Sequence, residues 1–101
     1  MSAPPFTLFL TDEAQRELDE LGKPAHAVKR KKVTKGLRLL RDVGPGHPGL
    51  NSHQYQSPTG PNGEEVRESY VENKTPSAWR LWWVYGPGAD TLTIVTVGPH
   101  P

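Results

Sequence analysis

An α+β fold in the order β-α-α-β-β-β, a helical hairpin packed on a small, mainly antiparallel sheet, follows from three features of the chain. Runs with strand character at 66–71, 79–85 and 91–97 fill its last third. Two apolar stripes at helical spacing, separated by Gly22-Lys23-Pro24, occupy 12–42, and a short apolar run at 6–10 precedes them. A chain of 101 residues has room for one domain, spanning 1–101, with a single two-layer core.

Residues 1–5 are expected to fray. In the run 6–10, Phe6, Leu8 and Leu10 share one face of a first strand. Thr11 or Asp12 can cap the helix that follows, and Asp12 and Glu13 lie in its first turn, where the macrodipole favours negative charge. Ala14, Leu18 and Leu21 recur at i, i+4 and i+7 and form one buried stripe. Gly22-Lys23-Pro24 ends that helix, with Pro24 suited to the start of the next. The second helix is predicted over 25–42, with Val33, Leu37 and Leu40 inward and Lys31, Lys35 and Arg38 on the opposite side. Residues 44–64 are rich in Gly-Pro and Asn-Gly turn signals. So long a loop is unusual in a compact domain, and 52–56 is read as a short strand. Loops at 73–77 and 86–90 then punctuate an antiparallel meander.

Hydrophobic residues make up only 34% of the chain, which also has 10 glycines and 11 prolines, so much of its length must be loop. Six of the eight aromatic residues lie beyond residue 50 and supply most of the core volume. There is no cysteine, which excludes a disulfide scaffold and thiolate metal sites and fits a reducing cytoplasm. The apolar run at 6–10 is too short for a signal or membrane segment, so no membrane association is expected. Net charge is only +1, too small for the whole-protein field to drive non-specific nucleic-acid binding. Its distribution is uneven: residues 23–41 hold Lys23, Lys29, Arg30, Lys31, Lys32, Lys35, Arg38 and Arg41 and no acid.

Arg67 and Arg80 lie inside strand-like runs, and a guanidinium there needs a carboxylate or phosphate partner. In the run 79–85, Trp79, Leu81, Trp83 and Tyr85 make the better core face, so Arg80, Trp82 and Val84 should face away from the helices. Val66 and Tyr70 are assigned to the core, and Arg67 to the Arg80 side. Pairing of the two arginines with Glu64, Glu68 or Glu72 is the plain structural alternative. Trp82 suits either a stacking surface for an unpaired base or a second small core. Lys31, Lys35 and Arg38 suit either a phosphate backbone or a solvated helix face. Glu64, Glu65, Glu68 and Glu72 read mainly as a solvated strand edge. His47 and His53 match no metal-ligand spacing, and no metal or cofactor is expected. His100 follows the last run by three residues and carries the side chain that titrates nearest neutral pH.

From Phe6 to His100 the order of elements resembles the RelE/ParE superfamily of bacterial toxins from type II toxin–antitoxin pairs. The resemblance rests on 6–13 leading into the first helix and on the basic second helix ending in Gly36-Leu37-Arg38-Leu39-Leu40. Its strongest part is the aromatic–Arg–hydrophobic strand Trp79-Arg80-Leu81-Trp82-Trp83-Val84-Tyr85, followed by Thr91 to Gly98 and Pro99-His100. It implies a RelE-like, ribosome-dependent mRNA endonuclease that needs no metal, inhibits translation and is neutralised by a cognate antitoxin. By carry-over, Arg80 would stabilise the phosphorane, Arg67 would contact phosphate beside it, and His100 would donate or accept a proton. Lys31, Lys35, Arg38 and Trp82 would bind RNA or the ribosome. Gly49 precedes Leu50 where some relatives carry a glutamate base, and Arg67 stands where others use lysine, so the proton acceptor stays open. A ParE-like inhibitor of DNA gyrase without nuclease activity, or an inactive interaction module, is the alternative that the same resemblance allows.

Overall fold

The computed structural model describes residues 3–60 and 62–100. Residues 1 and 2 of the segment expected to fray lie outside them, and 3–5 are exposed. Strand β1 (Thr7–Leu10) leads into helix α1 (Asp12–Glu20); a short 3-10 turn (Pro24–His26) then opens helix α2 (Ala27–Asp42). A second 3-10 turn (Pro48–Leu50) precedes β2 (His53–Thr59), β3 (Glu65–Tyr70), β4 (Trp79–Tyr85) and β5 (Thr91–Pro99). The five strands form one sheet in the order β1-β5-β4-β3-β2. Only β1 and β5 are parallel among its pairs.

The expected helices form for the expected reasons. Thr11 is the N-cap of α1, accepting from the Ala14 N–H at 3.1 Å, and Ala14 and Leu21 are buried. In α2, Val33 and Leu40 are buried while Lys31, Lys35 and Arg38 are exposed. Gly44, with φ +99°, receives the chain after α2, where its N–H donates to Leu39 O and it lies against the Phe6 ring. The strand expected at 52–56 is present and longer, running to Thr59.

The sheet separates two packed regions. On the helix side, Phe6, Ala14, Leu21, Val33, Leu40 and Leu50 pack with Leu81, Trp83, Leu92, Ile94 and Val97. The Trp83 indole N–H donates to the Ser69 hydroxyl at 2.8 Å, which also meets the Ser52 hydroxyl at 2.7 Å. On the far side, Val66, Trp82 and Val84 make a second cluster with Tyr55 and Val95.

One local irregularity governs the last strand. Trp82 pairs with Thr96 but Trp83 pairs with Ile94, so Val95 is an extra residue in β5. Leu92 and Ile94 face the core before the bulge, and Val97 faces it after, three residues on. Helix α1 holds this bulge in place. The Thr11 hydroxyl donates to Val95 O at 2.6 Å, and the Glu17 carboxylate accepts from the Val97 N–H at 2.8 Å and the Thr96 hydroxyl at 2.9 Å. These bonds replace the ladder that β1 no longer supplies, because β1 pairs with β5 only up to Ile94.

Thr11 therefore has two roles, as helix cap and as donor to the bulge carbonyl. Thr11→Val, which keeps the volume and deletes both bonds, is expected to lower unfolding stability by about 1–3 kcal/mol. Urea unfolding should show the midpoint shift without a change in slope.

Candidate active site

Strand register assembles the site on the face away from the helices. His53 lies opposite Glu68, Glu68 opposite Trp82, and Tyr70 opposite Arg80, which in turn lies opposite Gly98. The bulge at Val95 shifts the alternation of β5, so Gly98, and not its neighbours, shares the Arg80 face. The His100 N–H donates to Ala78 O at 2.8 Å, extending the ladder by one pair beyond Trp79 and Pro99 and bringing His100 to that same face.

A buried carboxylate sits at the centre. The Glu68 side chain is 3% exposed, and three potential cations surround it. His53 Nε2 lies 2.9 Å from Oε1, Arg80 Nε 3.8 Å from Oε1, and His100 Nε2 3.6 Å from Oε2. His53 Nδ1 also meets Asn51 O at 2.7 Å. His53 therefore has an oxygen acceptor opposite each of its ring nitrogens. Arg80 is itself buried, with Nη1 donating to Glu72 O and, at 3.1 Å, to Trp79 O. Its guanidinium carbon lies 3.7 Å from the centre of the Tyr70 ring. Arg80 Nε and Glu68 Oε2 are buried without hydrogen-bond partners among the described residues. Tyr55 meets the His100 ring edge-on at 6.5 Å and Trp82 at 6.0 Å.

Arg80 and His100 thus both approach Glu68, and Arg67 does not join them. Arg67 pairs with Trp83 in register and faces the helix side, where it lies 3.5 Å from Glu65 and 5.3 Å from the Tyr85 ring centre. The assignment of Val66 and Tyr70 to the core is reversed for the same reason: they share the Arg80 face, and Ser69 takes the core position against Trp83. Trp82 packs into the second cluster at 7% exposure and offers no open stacking surface.

Lys31, Lys35 and Arg38 lie together along the exposed side of α2, flanking Leu39. Lys35 also borders a cleft of about 450 Å³ that reaches Tyr70, whose ring covers Arg80. Lys29 and Lys32 are differently engaged, bonded to Glu72 at 2.5 and 3.0 Å. The hydrogen bond from Lys29 is the main cause that holds the Glu72 carboxyl at about 2, against an ordinary value of 4.5; burial opposes it.

Sequence reasoning missed Glu68 and His53 as site residues. The alternation Val66, Glu68, Tyr70 against Arg80, Trp82, Val84 carried the signal for Glu68, given the register. The signal for His53 was its position at the start of the short strand.

No family model and no curated protein sequence matches the chain. Solved structures do. The YoeB dimer from Staphylococcus aureus aligns at TM-score 0.69 and 10% identity, covering 96% of this chain and 99% of that one. The YoeB/ParE toxin from Agrobacterium tumefaciens aligns at 0.69 and 9%, covering 94% and 99%. The E. coli DinJ-YafQ toxin-antitoxin complex aligns at 0.66 and 15%, covering 95% and 93%. At these identities the likeness is one of fold. Among the described residues, no helix is long and apolar enough to cross a membrane.

Because the folded Glu72 carboxyl titrates below its unfolded value, its contribution is fully present above about pH 4.5 and is lost as pH falls towards 2. Urea unfolding of wild type against Glu72→Gln should show the wild type losing up to about 3 kcal/mol more across that window.

Proposed function

We propose that this chain, which carries the RelE/ParE toxin fold, is a RelE-like toxin that cleaves mRNA on the ribosome and is neutralised by a cognate antitoxin. The observation that carries the reading is the Glu68 carboxylate, buried between His53, Arg80 and His100. A buried ion pair contributes little net stability compared with apolar packing, so a fold has little thermodynamic reason to keep such a cluster. A buried carboxylate approached by a buried guanidinium and two solvent-exposed imidazoles is characteristic of reactive sites. With one imidazole protonated the group is net positive and attracts a phosphodiester.

The chemistry is attack of a ribose 2′-OH on its adjacent phosphate. His100 faces Glu68 through Nε2; with that nitrogen protonated, Nδ1 takes the 2′-OH proton and Glu68 stabilises the resulting imidazolium. The 2′-oxygen bonds to phosphorus, and Arg80 stabilises the added negative charge. As the P–O5′ bond breaks, a protonated His53, keeping Nε2–H on Glu68, releases its Nδ1 proton from Asn51 O to the departing 5′-oxygen and is left neutral. A cyclic 2′,3′-phosphate and a 5′-hydroxyl result. In this reading Glu68 with His100 supplies the proton acceptor, and Arg67 acts on neither the proton nor the phosphate. Lys31, Lys35 and Arg38 bind the RNA backbone, with the Tyr70 cleft leading from α2 towards Arg80. The antitoxin partner is inferred from the DinJ-YafQ toxin-antitoxin complex, which has this fold.

Induced expression with mapping of mRNA ends tests the reading. Growth arrest with in-frame cuts is expected, and Arg80→Ala and His100→Ala at matched soluble levels should each cut at least about 100-fold more slowly. Replacing Lys31, Lys35 and Arg38 together by alanine should weaken ribosome binding and flatten its salt dependence. Arrest that persists in Arg80→Ala and His100→Ala, with mRNA intact, would instead indicate a bound target such as DNA gyrase.

A further inference from the structure

We infer that Glu72 is a positioning residue for Arg80, holding the guanidinium from behind through its own backbone carbonyl. The catalytic consequence rests on the nuclease reading above; the geometry does not. Glu72 is the second residue after β3. Its N–H donates to Trp79 O at 3.1 Å, and its Oε1 accepts from the Trp79 N–H at 3.2 Å, so one residue closes the 73–78 loop with two bonds to the same partner. Lys29 and Lys32 reach across from α2 to hold the carboxylate, and Lys29 Nζ also lies 5.2 Å from the centre of the Trp79 ring. The Glu72 carbonyl is therefore anchored to both the sheet and the helix, and Arg80 Nη1 donates to it.

The other contacts of Arg80 set direction poorly. The Tyr70 ring at 3.7 Å is a flat surface, and Glu68 at 3.8 Å from Nε is beyond hydrogen-bond length. Orientation comes from the bonds of Nη1 to the carbonyls of Glu72 and Trp79. Both use the same nitrogen, and Nε is buried with no acceptor among the described residues, so the direction of the guanidinium depends on these two carbonyls. Removing the Glu72 carboxylate would leave two lysines repelling each other beside Trp79 and a part-buried N–H without its acceptor. The loop would relax, and the carbonyl under Arg80 would move with it. This divides the labour of the basic helix: Lys29 and Lys32 work inward on the site, while Lys31, Lys35 and Arg38 face outward.

The test combines nitrogen-15 NMR of the Arg80 guanidinium with cleavage of ribosome-bound mRNA in Glu72→Ala and Glu72→Gln. In wild type the Arg80 Nη protons should be resolved and slow to exchange, and in folded Glu72→Ala they should collapse to a rotationally averaged signal. Cleavage in Glu72→Ala should lose about 100-fold in kcat with KM changed less than about threefold, as expected for a misplaced group and not for lost binding. Glu72→Gln keeps an acceptor for Trp79 and should fall between; it carries the test if the alanine variant does not fold. In an Arg80→Ala background, Glu72→Ala should cost nothing further, because the two act as a unit. Unchanged Arg80 signals in a folded Glu72 variant, or equal losses in both backgrounds, would overturn the inference. A wild type that cuts no RNA while the Arg80 signals respond as stated would sink the nuclease reading and support the positioning role.

Discussion

A single extra residue in the last strand makes the core and the site compatible. Without the bulge at Val95, β5 would present Leu92, Ile94, Thr96, Gly98 and His100 to the helices, placing a hydroxyl where Val97 now packs and turning the His100 imidazole away from Arg80. With it, Val97 completes the core, and Gly98 and His100 pass to the opposite face beside Arg80. The irregularity needs support, because a bulge leaves ladder groups unpaired. Thr11 and Glu17 supply it from the start of α1, bonding the Val95 carbonyl, the Thr96 hydroxyl and the Val97 amide. The first helix thus fixes the aim of a residue some eighty positions away.

The far face of the sheet is arranged around charge in the same economical way. Burying an unpaired carboxylate costs several kcal/mol, and that of Glu68 is surrounded by Arg80 and two imidazoles. Arg80 in turn is fixed by backbone carbonyls of the Glu72–Trp79 region, and that region is tied to α2 by Lys29 and Lys32. Glu72 remains ionised far below neutral pH, so this tie is constant under physiological conditions. The net charge of +1 conceals the division, since several acids are consumed internally while the outer side of α2 keeps Lys31, Lys35 and Arg38 exposed.

The fold was legible because its strongest signals are periodic. Ala14, Leu18 and Leu21, then Val33, Leu37 and Leu40, define two helices, and the alternation of Trp79, Leu81 and Trp83 against Arg80 and Trp82 defines the faces of β4. The site was only half legible. Parity within β3 is plain, but both faces of the sheet are packed, so Val66 and Tyr70 looked like core and drew Arg67 to the wrong side. Cross-strand register settles the matter, and register is a long-range property that a strand does not carry alone. Ser69 was a misleading cue for the same reason: a polar residue occupies the core because the Trp83 indole and Ser52 satisfy its hydroxyl. Glu68 read as a solvated edge because β2, which covers it, begins in the turn-rich segment where periodicity is weakest.

In the proposed chemistry, Glu68 and His100 together accept the proton of a ribose 2′-OH. The most direct measurement is the chemistry of the RNA ends left by purified protein and ribosomes in the presence of a chelator, comparing wild type with Glu68→Gln. Wild type is expected to leave 2′,3′-cyclic phosphates and 5′-hydroxyls, and Glu68→Gln to lose them. Ends bearing a 3′-hydroxyl, or undiminished cutting by Glu68→Gln, would contradict it.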